Sequence, residues 1–196
     1  MMRQCGDCQL CCKLLPVPPL EKKAGERCRH QKFGKGCMVY HKPGMPRDCA
    51  LWNCRWLVND DTADLPRPDR SHYVIDITPD HITLQDNETK ERHVVQVVQI
   101  WIDPKHPLAH RDPALRAYLM RRGEKGIAAL VRYDNRRAVT LFPPNMVGGT
   151  PPENWLQPDG WIEIPDDAPN AVVEHDHSLA ETIKALGGAA RMVIEP

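Results

Sequence analysis

The chain has 196 residues, and its 26 Lys and Arg balance 26 Asp and Glu, so its formal net charge is zero. A hydrophobic content of 41% with this balance excludes wholesale disorder, and no apolar run reaches the ~20 residues that cross a bilayer. The charge is divided, however, because residues 1–58 hold 11 basic and four acidic residues, whereas residues 59–196 hold 15 and 22. All eight cysteines also lie in the basic segment, so we expect the two parts of the chain to do different jobs.

Residues 1–58 are predicted to form a small module that needs a staple, meaning a bound metal or disulfides. A segment of this size buries too little apolar surface to be stable alone. The N-terminus has no apolar stretch of signal-peptide length, which favours the reducing cytoplasm and argues against stable disulfides. A bound metal is therefore the expected staple. Residues 59–70 are acidic, contain proline and lack periodicity, so they are predicted to be a linker.

Residues 71–196 are predicted to form an α+β body, with a mostly antiparallel sheet and two or three helices. Apolar residues alternate over 73–77 and a Pro-Asp turn leads into 81–85, a pattern that predicts a hairpin. Residues 94–102 are mostly apolar and β-branched, which is typical of a central strand covered on both faces. Residues 127–133 and 138–142 flank a polar turn and predict a second hairpin.

Two helices are predicted in the body. Asp112 is a favourable N-cap, Pro113 suits the first helical position, and Gly123 is a natural stop. A capping box at 178–181 opens the last helix, which ends near Gly187. The proline-rich stretch between them, 143–169, is predicted to be irregular coil that wraps the sheet and lines a pocket with Trp155 and Trp161.

The cysteines follow the pattern Cys-x2-Cys-x2-Cys-Cys, with four more spread over the next 42 residues. On a helix the first four would share an arc of roughly 120°, and four thiols on one face cannot easily enclose a single ion. We therefore expect them to share metals with the later four, in two closed four-sulfur sites that hold two zinc ions. The basic surplus would then offset the negative thiolates. The predicted ligands are Cys5, Cys8, Cys11, Cys12, Cys28, Cys37, Cys49 and Cys54.

An iron–sulfur cluster is the alternative metal centre. Cys5, Cys8 and Cys11 match the first three positions of the ferredoxin pattern C-x2-C-x2-C-x3-C-P, and the pattern fails at Leu15-Pro16, where a fourth cysteine is needed. A downstream cysteine would have to supply that ligand. The Cys5-x2-Cys8 spacing also suits a redox dithiol, but the surrounding sequence lacks the βαβ pattern that normally carries one.

These motifs resemble the CxxCxxCC family of zinc- or iron-chelating proteins, also called YkgJ-family cysteine cluster proteins. The resemblance covers residues 5–12, Cys28, residues 37–40 and residues 46–54, and the adjacent cysteine pair makes it specific. It implies that all eight cysteines are metal ligands. An Arg-Pro pair often precedes the seventh cysteine in the family, whereas this chain has Met45-Pro46 there. The resemblance implies no activity and does not extend to residues 59–196.

Histidines elsewhere are expected to be exposed loop residues. His30 and His41 lie between ligand cysteines and would be able to replace one of them in a Cys3His site. His175 and His177 flank Asp176 and would give part of a coordination sphere, although a solvated acidic turn is the preferred interpretation. A surface loop is also predicted for His106, His110 and Arg111.

The expected function is a metal-binding protein whose body recognises an unidentified protein or small molecule. Scattered basic residues and few aromatics argue against a nucleic-acid interface, and a membrane partner is not expected. The alternative is an iron–sulfur protein that acts as an electron carrier or oxidoreductase. The chain lacks a Gly-rich phosphate loop, a G-x-S-x-G elbow and an H-E-x-x-H helix, so whether it is an enzyme stays open.

Overall fold

A computed structural model describes residues 3–85, 89–134, 136–143, 146, 153–165 and 173–175. The N-terminal part consists of short elements joined by turns. Its helices and strands are α1 (Leu10–Leu14), β1 (Gln31–Lys32), β2 (Gly36–Cys37), α2 (Arg47–Leu51), α3 (Arg55–Val58) and α4 (Pro68–Ser71), with 3-10 helices at Pro18–Leu20 and Asp60–Thr62.

A mixed sheet forms the body. Its strands are β3 (Tyr73–Ile75), β4 (Asp80–Gln85), β5 (Arg92–Ile102), β6 (Ala128–Arg132), β7 (Ala138–Phe142), β8 (Ile162–Pro165) and β9 (Val173–His175), and α5 (Pro113–Gly123) connects β5 to β6. The strand order is β8-β7-β6-β5-β4-β9, and β3 also pairs with β5. β5 and β6 are parallel, while the other described pairs of this sheet are antiparallel. The predicted α+β fold with a mostly antiparallel sheet is confirmed, and so is the β6–β7 hairpin.

β5 is the longest described strand and corrects two expectations. Its last residues pair with β3, with Tyr73 opposite Ile102, and its earlier residues pair with β4. β3 and β4 therefore do not form the predicted hairpin but lie one after the other along the same edge of β5, and Asp76 N donates to Gln99 O at 3.0 Å between them. Alternation fixes which side chains share a face but does not specify the partner strand. The strand is also not covered throughout, because Val94 is 67% exposed.

α5 forms where the sequence predicts it. The Asp112 carboxylate accepts a hydrogen bond from Ala114 N at 3.0 Å, which caps the first turn. Leu119 is fully buried against the sheet. The helix can approach the chain beyond β7 only because residue 123 is glycine, since a Cβ on Gly123 would lie 2.9 Å from the Pro143 ring. α5 therefore seals one face of the sheet.

The N-terminal module packs on the opposite face. Val74 and Trp101 sit opposite each other on β3 and β5, and their neighbours along each strand point toward α5, so these two side chains point away from it. They form one apolar cluster with Leu10, Leu14 and buried cysteines of the module. The module and the body thus share an apolar interface.

The segment 59–70, predicted to be a linker, is folded and packed. Thr62 is fully buried and Leu65 is 5% exposed. Arg3 donates to Thr62 Oγ1 at 2.9 Å, and Trp56 Nε1 donates to Leu65 O at 3.0 Å. These hydrogen bonds join the segment to the module. Its few apolar side chains are buried, which its acidic composition does not indicate.

The proline-rich stretch is more regular than predicted. Its described residues include a 3-10 helix at Glu153–Trp155 and the edge strand β8. Trp161 is fully buried under α5, so it fills the core and cannot border a pocket. The predicted helix from 178 to 187 lies outside the described residues. No helix in the described part of the chain is long and apolar enough to cross a membrane.

Candidate metal centre

All eight cysteines lie among the described residues, and none of them forms a disulfide. They are spread over different elements of the module, so only its tertiary fold brings them together. Cys5 and Cys8 precede α1, Cys11 and Cys12 lie in α1, Cys28 lies in a loop, Cys37 ends β2, Cys49 lies in α2, and Cys54 precedes α3.

The first four thiols do not share a helical face as expected. α1 begins only at Leu10. Gly6 has φ +55°, a left-handed conformation that stops a right-handed helix, and Cys8 N instead closes a turn on Cys5 O at 3.0 Å. A second glycine brings β2 against this turn, since a Cβ on Gly36 would lie 2.9 Å from Gly6 O. This close approach carries Cys37 toward Cys5.

Four cysteines form an inner group that packs against the sheet. Cys8 is 7% exposed and Cys54 is 9% exposed, and both lie in the apolar cluster with Trp101. Burial and the nearby thiols of Cys8 and Cys5 raise the pKa of Cys54 to about 12. A β-bridge between Cys54 and Asp76 fixes this group to the body. The inner group consists of Cys5, Cys8, Cys11 and Cys54, which share this one cluster.

The other four cysteines form an outer group that does not belong to this apolar cluster. Burial, together with repulsion from the thiolates of Cys12, Cys28 and Cys37, raises the pKa of Cys49 to about 11. Burial and the first two of those thiols also raise the pKa of Cys37. This repulsion indicates that the four sulfurs lie within electrostatic range of one another, and Cys12 and Cys37 act in the same way on Cys5 of the inner group. The outer group consists of Cys12, Cys28, Cys37 and Cys49.

The two groups meet in α1. A hydrogen bond from the Cys11 thiol and the nearby ammonium of Lys22 together lower the pKa of Cys12 to about 7, against the opposing effect of burial. The same hydrogen bond, together with burial, raises the pKa of Cys11 well above its ordinary value. Cys12 is thus the thiol best placed to ionise near neutral pH.

Lys22 and Arg67 are cations close to the thiols. Lys22 is only 7% exposed, and its ammonium donates to the carbonyl oxygens of Lys13 and Lys23, each at 3.1 Å, and of Leu15. Its charge faces Cys12 and Cys28. Arg67 lowers the pKa of Cys5 against the larger effect of burial. One cation of the basic segment 1–58, Lys22, and one from the following segment, Arg67, thus act on the thiols.

The eight cysteine sulfurs are a donor set that suits a thiophilic metal, although they do not surround a common point. Within the described residues, no three cysteine sulfurs all lie within 4.8 Å of one another. A tetrahedral zinc ion with Zn–S bonds of ~2.3 Å holds its sulfurs ~3.8 Å apart. Zinc would therefore require cysteine side chains to rotate inward. A four-iron cluster spreads its thiolates more widely, because a separate iron atom stands at each ligand position.

The histidine expectations have mixed outcomes. His41 is exposed and its ring lies 4.0 Å from that of Tyr40, whereas His30 is half-buried. Neither belongs to a group of three potential ligands within 4.8 Å among the described residues. His175 lies on β9, but Asp176 and His177 are outside the described residues.

His110 is not on a surface loop as expected. It is 2% exposed, and burial lowers its pKa to about 4. Its Nδ1 lies 3.1 Å from Pro107 O. His106 is exposed as predicted, but the fold brings His72 and Asp103 to it, a grouping that the sequence analysis missed. The only sequence signal is their position at the ends of strands, since His72 directly precedes β3 and Asp103 directly follows its partner strand β5.

Comparison with known proteins gives no further information, because no family model, no curated protein and no solved structure matches this chain.

Proposed function

We propose that this protein binds metal through two four-cysteine centres in its N-terminal module, and that the metal is zinc. The observation that carries the proposal is the gathering of eight reduced thiols, from six separate places in the module, into an inner and an outer group of four. Eight free cysteines within residues 5–54 are too many to be ordinary core residues. The family resemblance noted from the sequence points to the same ligands.

The raised thiol pKa values explain why a metal would stabilise the module. Burial, together with repulsion from Cys8 and Cys12, raises the pKa of Cys5 to about 11. A divalent cation would replace the protons on such thiols and remove the repulsion between them. When bound, zinc would supply strong, directional bonds that a module with a small core otherwise lacks.

The inner centre would also hold the module on the body. Cys54 bridges to Asp76, whose carboxylate accepts a hydrogen bond from Trp52 Nε1 at 2.7 Å. Metal loss would therefore weaken the interface as well as the module. We propose a structural role for the metal and a binding role for the acidic body, whose partner is a protein or small molecule rather than nucleic acid. Reduced cysteines in this number fit the cytoplasm.

An iron–sulfur cluster is the second candidate, and the inner group favours it. Cys5-x2-Cys8-x2-Cys11 matches the first three ferredoxin positions, and Cys54 now provides the remote fourth thiol that the sequence pattern lacked. Among the described residues no three cysteine sulfurs lie within 4.8 Å of one another, which suits a cluster better than a single ion. In that case the protein would be an electron carrier or oxidoreductase.

The test is anaerobic purification of the full chain, followed by elemental analysis and an absorption spectrum. Colourless protein with two zinc ions supports the proposal, whereas brown protein with iron and sulfide supports an iron–sulfur cluster instead of zinc. Cys8→Ser and Cys37→Ser should each lose metal, one from each group. Met38→Ala, an exposed neighbour of Cys37, is the control and should keep its metal. Full-length protein without either metal would contradict both candidates.

A further inference from the structure

We infer from the geometry that His72, Asp103 and His106 form a separate site for a divalent transition-metal ion held by nitrogen and oxygen. One ligand atom from each residue lies within 4.8 Å of those of the other two. Two imidazoles and one carboxylate make a donor set typical of zinc and non-haem iron(II). The site contains no thiol, so it differs in chemistry from the cysteine centres.

The sheet register builds this site. Tyr73 pairs with Ile102, so the next residues, His72 and Asp103, leave the ends of adjacent strands together. Asp103 N donates to His72 O at 2.9 Å, and His106 N donates to Asp103 O at 2.7 Å in the turn that follows. The two imidazole rings stack with their centroids 3.5 Å apart and their planes within 5°. The backbone hydrogen bonds and the stacking thus hold the two imidazoles against each other beside Asp103.

The backbone at His72 supports a functional role. This residue caps α4 with φ +63°, a left-handed conformation that glycine adopts more easily. A helix end at this point needs only a residue that tolerates positive φ, and the chain uses histidine. Strained backbone at a side chain that can bind a ligand is a recurrent feature of functional sites.

Asp103 is fixed by partners that still allow metal binding. It is 6% exposed, and its carboxylate oxygens lie 2.5 and 2.7 Å from Lys13 Nζ. Lys105 N also donates to it at 3.0 Å. A carboxylate offers about four lone-pair positions, so these two donors leave capacity for an ion. Because Lys13 follows Cys12 in α1, the new site lies at the junction of module and body.

An open surface depression of about 530 Å³ lies beside the two histidines of the site. His72 and His106 line it together with Arg70 and Arg111. Three protein ligands fill only part of a coordination sphere, and the depression beside the two imidazoles leaves room for water or an anionic ligand. An open position of this kind separates catalytic from structural metal sites.

Cobalt(II) titration of the full-length, reduced, metal-free chain tests the inference. Cobalt bound to thiolates absorbs strongly in the near ultraviolet, whereas cobalt at a histidine–carboxylate site gives only weak visible bands. We expect one cobalt equivalent beyond those that raise the thiolate absorption. In His106→Ala and His72→Asn this equivalent should bind more than about tenfold more weakly, and asparagine tolerates the left-handed backbone at 72.

The matched control is His81→Ala, which removes a histidine from β4 and should leave the extra equivalent unchanged. Circular dichroism should show normal folding in His106→Ala, because this side chain is exposed. Cys49→Ser, in the outer group, should reduce the thiolate absorption and spare the extra equivalent, so failure of the cysteine centres is distinguishable from failure of this site. A wild-type chain without the extra equivalent, or equal affinity in all three histidine variants, would overturn the inference.

Discussion

Lys22→Met should destabilise the module and weaken metal binding at the outer group. The buried ammonium makes three hydrogen bonds to carbonyl oxygens around the end of α1, and each hydrogen bond to a charged donor contributes about 1.5–3 kcal/mol. Methionine fills similar space but leaves these carbonyls without their donor. After allowing for the cost of burying the ammonium, we expect the free energy of unfolding to fall by about 2–4 kcal/mol.

The lost charge has a second effect, on pH dependence. Lys22 helps to hold the pKa of Cys12 at about 7, so its removal should raise that pKa. Protons would then compete with metal up to a higher pH, and the midpoint of metal release should move upward. Urea unfolding and metal release as a function of pH measure the two effects. The control is Lys23→Met, which changes an exposed neighbouring lysine. Equal stability and equal release midpoints in the two variants would refute this reasoning.

Three further predictions test the body and its interface. The pKa of His110 is lowered from 6.5 to about 4 in the fold, so the free energy of unfolding should fall by up to about 3 kcal/mol as the pH drops from 6.5 to 4. His110→Phe should lack this pH dependence, which urea unfolding at several pH values measures. Leu119→Ala should cost about 2–5 kcal/mol in the same assay, whereas Leu108→Ala, at a side chain 61% exposed, should change stability little. Trp52→Phe should lower the free energy of unfolding by about 1.5–3 kcal/mol, because it removes the hydrogen bond to the buried Asp76 carboxylate. A decrease below about 0.5 kcal/mol, the size expected of surface substitutions, would show that this bond does not hold the interface.

Local signals in the body predicted its elements well. The Asp112 cap and the Gly123 stop bound α5 correctly, since both act within one turn of the helix. The β6–β7 hairpin follows from a short polar turn between apolar runs. The predicted hairpin between β3 and β4 was wrong, because strand pairing is decided by packing between residues that are distant in sequence. The burial of Trp161 was missed for the same reason, as its partners on α5 are about 40 residues away.

The candidate site divides in a similar way. Residue type and spacing were enough to single out the cysteines as ligands, which stays a prediction. Their grouping was not predictable, since it depends on the left-handed turn at Gly6 and the close approach of Gly36. The group at His72 and Asp103 was invisible in sequence, because only the register of β3 on β5 brings these residues together.

The central claim is that the eight cysteines form two separate four-sulfur centres, and native mass spectrometry of anaerobically purified protein tests it most directly. Cys5→Ser combined with Cys54→Ser changes the inner group twice, whereas Cys49→Ser combined with Cys54→Ser changes each group once. The account predicts two metal centres in the wild-type chain, one in the first double variant and none in the second. Equal metal loss in the two double variants, or a wild-type mass equal to that of the bare chain, would contradict it.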